Sequence, residues 1–220
     1  KKAMRHALEN LNPNDTFQII RFSEAASPFA KEPLLATDEN IRRGLSYING
    51  LNGEGGTYMI EGIKAALDYP RRDNCLRIVC FMTDGYIGNE SEILAAIQKK
   101  LGDNTRLFSF GVGSSVNRYL LDSMAEVGLG EVQYVTLNEN PEQQVNKFYE
   151  RVRNPVLTHI RVDWSDLDVK ELAPGRILDL FSGQPIFLLG RYDKAGEATI
   201  KIHAKANGED VTYSVPVALT

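Results

Sequence analysis

The chain is poor in the residues that build metal cages and disulfide frameworks: two cysteines and three histidines in 220 residues. Cys75 and Cys80 stand five apart across the start of a strand-like run, so their side chains leave opposite faces and no disulfide between them is expected. Both read as buried small hydrophobes, which leaves the redox compartment undecided. His6 falls on the first helix and His159 and His203 fall in the tail, without the spacing of a zinc site, so surface or strand-face roles are expected. Positive charge is also short. Lys and Arg number 25 against 29 Asp and Glu, for a net charge of -4 and a pI near 5.5, which leaves no electrostatic footprint for nucleic acid. The pairs at 42–43 and 71–72 read as solvated helix ends and turns. No apolar run is long enough to span a bilayer, no signal peptide is visible, and there is no internal repeat, low-complexity segment or serine nucleophile elbow.

What is present is the composition of a soluble globular protein, 43% hydrophobic and 25% charged, enough for one large domain or one with a small module. Periodicity predicts helix and strand in alternation. Ala3, Met4, Ala7, Leu8 and Leu11 form a helical stripe, Phe17 to Phe22 a strand, Pro28 to Leu35 its short partner, and Ile41, Leu45, Ile48 and Leu51 a second helix. Then follow a helix at Met59 to Leu67, a strand at Leu76 to Met82, a helix at Ile93 to Leu101, a strand at Leu107 to Val112, a helix at Leu120 to Val127 and a strand at Val132 to Thr136. A last helix runs from about Pro141 to Val152, with proline in its first turn. This order predicts a doubly wound, mostly parallel α/β domain over residues 1–153. Phe17, Phe22, Phe81, Phe108 and Phe110 have strand spacing and belong to its core.

At Asn154-Pro155 the texture changes. Val156 to Trp164, Ile186 to Tyr192, Ala198 to Ala206 and Val211 to Val217 read as strands, with Asn207-Gly208 as a hairpin turn. Residues 154–220 are therefore expected to form a small all-β module, marginal alone. The first helix opens on Lys1 and Lys2 with no capping residue and two cations at the positive end of its dipole. Its natural start is expected upstream.

Two polar loops draw chemical interest. The apolar run ending in Thr83-Asp84-Gly85 reads as a buried parallel strand, and ligands of open parallel sheets gather beyond the carboxyl ends of such strands. Gly53-Glu54-Gly55-Gly56-Thr57 precedes a helix and offers a hydroxyl at its start. One hydroxyl and one carboxylate supply part of an octahedral shell for a hard cation such as Mg²⁺. On pattern alone these segments read equally as a helix-capping turn and a strand-ending turn. Gly111-Val112-Gly113-Ser114-Ser115 is a glycine turn without a full phosphate-binding fingerprint.

Gly55-Gly56-Thr57 opening a helix, then Phe81-Met82-Thr83-Asp84-Gly85-Tyr86-Ile87-Gly88-Asn89-Glu90, then Leu107-Phe108-Ser109-Phe110-Gly111-Val112-Gly113, together resemble the von Willebrand factor A domain. The branch is that of the inter-α-trypsin inhibitor heavy chains and their bacterial relatives. Asn12-Pro13-Asn14-Asp15-Thr16-Phe17 is similar to that branch's second strand and Asn154-Pro155-Val156-Leu157-Thr158 to its exit, so the resemblance covers residues 1 to about 160.

The resemblance implies a non-enzymatic, extracytoplasmic (secreted, periplasmic or cell-surface) adhesion module. Its metal-ion-dependent adhesion site would hold Mg²⁺, or Mn²⁺ or Ca²⁺, with Thr57 as hydroxyl ligand and Asp84 as carboxylate ligand. The partner would be a protein presenting Asp or Glu to the ion, with Tyr58 and Tyr86 as flanking contacts, although ordinary packing explains both tyrosines equally well. The family's first metal loop, Asp-x-Ser-x-Ser, does not occur in the sequence; its place and that of the first strand would be just before Lys1. These 220 residues are thus expected to bind the ion weakly or not at all, and the slot between Phe17–Phe22 and Leu76–Met82 awaits a strand. The β module would likewise be part of a sandwich. The heavy chains' Asp-Pro-His-Phe-Ile-Ile motif is absent, so covalent attachment to a glycosaminoglycan is not implied. The alternatives are a structural A domain with an inactive metal site and a Mg²⁺-dependent α/β hydrolase using Asp84. The hydrolase lacks the second acidic residue and the basic residue it would need at that edge.

Overall fold

The computed structural model describes residues 1–53, 56, 58–70, 75–83, 89–113, 115–135, 141–152, 155–181 and 185–220. The chain divides into two compact units, Lys1–Phe148 and Tyr149–Thr220. The first unit opens with α1 (Lys2–Glu9), the short strands β1 (Thr16–Phe17), β2 (Ile20–Phe22), β3 (Ala26–Pro28) and β4 (Leu34–Leu35), and α2 (Asp38–Gly50). It continues through α3 (Met59–Asp68), β5 (Arg77–Thr83), α4 (Glu90–Lys100), β6 (Thr105–Val112), α5 (Arg118–Val127) and β7 (Val132–Val135). The helix α6 (Pro141–Val152) contains the dividing point.

Helix ends follow the local chemistry. The Thr37 hydroxyl caps α2 by accepting the Asn40 N–H at 3.3 Å, with Asp38 and Glu39 in the first turn. The start of α4 carries Glu90 and Glu92 and its end Lys99 and Lys100, the charge order that the helix dipole favours. No side chain caps α1.

β5, β6 and β7 form a parallel sheet in that order, with Phe81 opposite Ser109 and Phe110 opposite Gln133. One face packs on α3, α4 and α5 through Phe81, Leu107, Ile63, Ile93, Leu120 and Met124. The other is met by α6, whose Phe148 stands edge-on to Phe108 and Phe110 at 5.3 and 4.3 Å between ring centres. A second core joins Leu8 of α1, Ile48 of α2 and Phe17 of β1.

Two expectations require correction. Phe17 to Phe22 is not one strand but two, in separate two-stranded ladders: β1 with β4 and β2 with β3. The break falls at Gln18, whose side-chain amide takes the place of a backbone partner: Oε1 accepts the Ala30 N–H at 3.2 Å and Nε2 donates to the Ala30 carbonyl at 2.6 Å. The cysteines are not buried. Both are exposed free thiols. Cys80 lies on the side of β5 away from α3, where solvent reaches it.

The second unit is antiparallel. Its sheet follows the order β10 (Leu180–Phe181), β8 (Pro155–Asp163), β12 (Gly196–Ala206), β13 (Glu209–Leu219), and β9 (Val169–Ala173) pairs separately with β11 (Leu189–Tyr192). Asn207 and Gly208 join β12 and β13 with φ of 51° and 84°, the two positive angles of a type I′ hairpin turn. His159 interrupts β8 with φ of 54°, and its N–H is taken by the buried Asp179 carboxylate at 3.2 Å. The residues of β9 and β10 carry no strand signal in the sequence reading.

Candidate functional site

The carboxyl ends of the strands in the first unit are tied together by a few specific contacts. Phe22, the last residue of β2, stacks on Phe81 of β5 with ring centres 4.9 Å apart and planes 18° apart. Gly62 of α3 makes room for this stack: a Cβ there would lie 2.8 Å from the Phe22 ring. One residue beyond β2, the Ser23 carbonyl accepts the Tyr58 N–H at 2.8 Å. The end of β2, the start of α3 and the end of β5 therefore meet at one edge.

Tyr58 caps α3 with its backbone only, and its side chain is 58% exposed. A Cβ on Gly56 would reach the Tyr58 ring at 3.6 Å and Glu24 Cγ at 3.9 Å, so Glu24 also stands beside this loop. β5 ends at the buried Thr83. Beyond it α4 begins behind Asn89, and α5 begins behind Asn117. Asn117 is buried and doubly engaged here: its Oδ1 accepts the Leu120 N–H at 3.1 Å, capping α5, and its Nδ2 donates to Glu90 Oε1 at 2.9 Å. Gly113, with φ of 102°, turns the chain out of β6 in a conformation that favours glycine.

Of the residues singled out from the sequence, Tyr58 stands at this edge and is open to solvent. Thr57, Asp84 and Tyr86 lie outside the described residues. Sequence reasoning missed Val112 and Tyr119, exposed by 46% and 69% at the end of β6 and the start of α5. It also missed the Glu90–Asn117 contact. Asn117 carries a readable signal, an amide side chain just before a helix, but its partner lies 27 residues away.

The described donors near the edge, Glu24, Thr83, Asn89, Glu90 and Asn117, are all oxygen donors without histidine or cysteine, a set suited to hard cations. The Asn89 Oδ1 is buried without a hydrogen-bond partner. Among the described residues no three His, Cys, Asp or Glu side chains gather into a metal-holding group.

The sequence profile of the von Willebrand factor type A domain matches residues 1–134. A von Willebrand factor A domain-containing protein of Dictyostelium discoideum is 30% identical over 224 residues, covering 100% of this chain and 10% of that protein. A human inter-alpha-trypsin inhibitor heavy chain is 23% identical over 231 residues, covering 99% of this chain and 26% of that protein. The chain thus spans about a tenth to a quarter of these relatives. Among solved structures, a von Willebrand factor type A protein from Catenulispora acidiphila superposes with a TM-score of 0.68 at 16% identity, over 98% of this chain and 60% of that one. Proximal thread matrix protein 1 from the mussel byssus, solved with zinc in its MIDAS motif, superposes with a TM-score of 0.51 at 16% identity, over 67% of this chain and 38% of that one. No described helix is long and apolar enough to cross a membrane. With an alternating α/β fold, a parallel sheet and a matching profile over residues 1–134, the chain belongs to the von Willebrand factor type A domain family.

Proposed function

We propose that the protein is a non-enzymatic, metal-dependent protein-binding module acting at the carboxyl edge of its parallel sheet. The carrying observation is the convergence at that edge of the β2 end, the α3 start and the β5 end, with an exposed aromatic beside oxygen donors. Thr57 supplies a hydroxyl and Asp84 a carboxylate to Mg²⁺ or Mn²⁺, with Ca²⁺ as a further candidate. Few charged ligands leave such an ion electrophilic, and an exchangeable water position accepts a carboxylate from the partner. The partner is a protein presenting Asp or Glu, and Tyr58, Tyr86, Tyr119 and Val112 form its aromatic and apolar rim. In this reading residues 1–153 are the A domain and 154–220 a β module, in an extracytoplasmic protein.

Family membership supports the reading, as does the zinc held by the mussel byssus relative at its own MIDAS motif. Its test is Mn²⁺ titration calorimetry on the intact protein and on Asp84→Ala. Loss of the sole proposed carboxylate ligand in these 220 residues is expected to weaken binding by at least the roughly 10–100-fold seen for supporting residues of metal sites. Unchanged affinity sinks the metal assignment. A wild-type protein that binds no Mn²⁺ instead favours the structural A domain with an inactive site.

A further inference from the structure

The hairpin of β12 and β13 ends the sheet of the second unit, so among the described residues β13 has a ladder partner on one side only. The register fixes which backbone groups are engaged. Ala206 and Glu209 flank the two-residue turn as a hydrogen-bonded pair, so the N–H and carbonyl groups of Glu209, Val211, Tyr213, Val215 and Val217 face β12. Those of Asp210, Thr212, Ser214, Pro216 and Ala218 face outward. Pro216 agrees with this phase, because a proline within a sheet is tolerated where its missing N–H would have pointed away from the ladder.

The outward edge is therefore uneven. Asp210, Thr212 and Ser214 each offer a donor and an acceptor, and beyond them the ring of Pro216 stands where a donor would be and holds a neighbouring strand off. The side chains are divided by face. Asp210, Thr212 and Ser214 share the face of Lys205, His203 and Lys201; Asp210 pairs with Lys205 at 3.1 Å, and Thr212 Oγ1 lies 3.0 Å from His203 Nδ1. Val211 and Tyr213 lie on the other face, opposite Ala204 and Ile202, where Ala204 is buried but Tyr213 is 48% exposed.

We propose that β13 is a self-pairing edge: two copies of the protein join antiparallel about Thr212, with Asp210 of each opposite the partner's Ser214, so that one sheet runs through both. Of the two-fold antiparallel registers open to the outward-facing groups, this is the longest that leaves Pro216 outside the paired segment. It satisfies every outward donor and acceptor of Asp210, Thr212 and Ser214 on both copies. The side chains match as well. Asp210 falls opposite a hydroxyl instead of a second carboxylate, and Thr212 falls opposite the partner's Thr212. On the apolar face Val211 meets the partner's Tyr213, a β-branched and aromatic pair of the kind that stabilises sheets. The occupant is a second copy because one short segment supplies both halves of the match, as a two-fold interface requires. This surface lies in the second unit and is independent of the metal-binding reading.

Sedimentation equilibrium and residue-resolved hydrogen exchange on the intact protein, each over a range of concentration, test this with four variants. Thr212→Pro keeps the ladder with β12, because the N–H it removes faces outward, and is expected to weaken association through β13 by about tenfold or more. Ala218→Pro makes the same change beyond Pro216 and should leave association within about twofold of wild type. Ser214→Lys sets a cation opposite the partner's Asp210 and should strengthen association about threefold, whereas Ser214→Asp sets two carboxylates opposite each other and should weaken it by about as much. In the wild-type protein the Thr212 and Ser214 amides should gain protection as concentration rises, while Ala218 stays open and Val211 and Tyr213 stay protected throughout. Association through strands of the first unit responds to none of these substitutions and protects neither amide. The proposal is overturned if Thr212 and Ser214 exchange at the same rate at every concentration, whether open or covered, or if Thr212→Pro and Ala218→Pro associate alike. It is equally overturned if Ser214→Lys weakens the contact as Ser214→Asp does, since Ser214 would then lie opposite its own counterpart and the register about Thr212 would be wrong.

Discussion

Gly130→Ala is expected to abolish cooperative folding of the first unit or to leave it only marginally folded. The approach to β7 lies against the central strand of the sheet: the Leu107 N–H donates to the Gly128 carbonyl at 2.8 Å and the Ser109 N–H to the Glu131 carbonyl at 3.0 Å. Between those two bonds, a Cβ on Gly130 would sit 2.1 Å from the Leu107 carbonyl oxygen and 2.7 Å from its carbon. Both atoms belong to the backbone of β6, so no rotamer change relieves the contact. The chain must move off the sheet, breaking one or both ladder bonds and opening the core around Leu107, which is fully buried. Ordinary overpacking costs about 1–3 kcal/mol, and a clash with central backbone should exceed it, against a typical total stability of about 5–15 kcal/mol. Gly50→Ala is the control. It lies at the end of α2 with open space around its would-be Cβ, and should be neutral or stabilising by up to about 1 kcal/mol. Thermal melts of both variants decide the matter; a Gly130→Ala protein that melts like wild type shows that the segment shifts freely.

The second large effect is expected at the outer edge of β5. The Arg77 N–H donates to the Asn104 carbonyl at 2.8 Å, so the backbone groups of residues 77, 79, 81 and 83 face β6 and those of Ile78, Cys80 and Met82 face away. Among the described residues β5 has no ladder partner on that side, and β2 is joined to it by the Phe22–Phe81 ring stack and not by a strand ladder. An apolar strand with an unpaired edge is a template for another strand. The 220 residues by themselves are expected to self-associate with rising concentration. Hydrogen exchange resolved by residue should find Val79 and Phe81 amides protected and those of Ile78, Cys80 and Met82 open. Sedimentation showing a monomer at all concentrations, with uniform protection along β5, would falsify this.

Legibility in the sequence followed the physical range of each signal. The parallel core is readable because its strands are near-continuous apolar runs and its helices carry apolar stripes, both local patterns. Phe17 to Phe22 misleads because its apolar residues are dense enough to read as one strand, although Ile19 and Ile20 stand side by side and break the alternation; the Ala30 backbone, brought opposite by the fold, lets the Gln18 amide replace the ladder there. Val169-Lys170-Glu171-Leu172-Ala173 lacks strict alternation and Leu180-Phe181 is too short to show any, so β9 and β10 stay invisible until their partners are placed. The burial expected for Cys80 followed from its residue type within an apolar run, whereas its exposure depends on what the fold places over that face of β5. At the candidate site, Tyr58 is a local motif residue, whereas the Glu90–Asn117 contact exists only once α4 and α5 have been brought side by side.

The Asn207-Gly208 turn has a kinetic consequence. Its two positive φ angles are a local preference of the residues themselves, and the strands it joins pair in unbroken register from Ala206–Glu209 to Gly196–Leu219. Every contact in that ladder closes a short loop, and hairpins of this type zip in about 1–10 μs. Parallel pairs such as β5 with β6 must first fold a helix between their strands and bring distant segments together, which places them among the slower topologies. The β12–β13 hairpin is therefore the part of these residues best equipped to order itself early, before the sheet that carries the candidate site has finished searching for its own register.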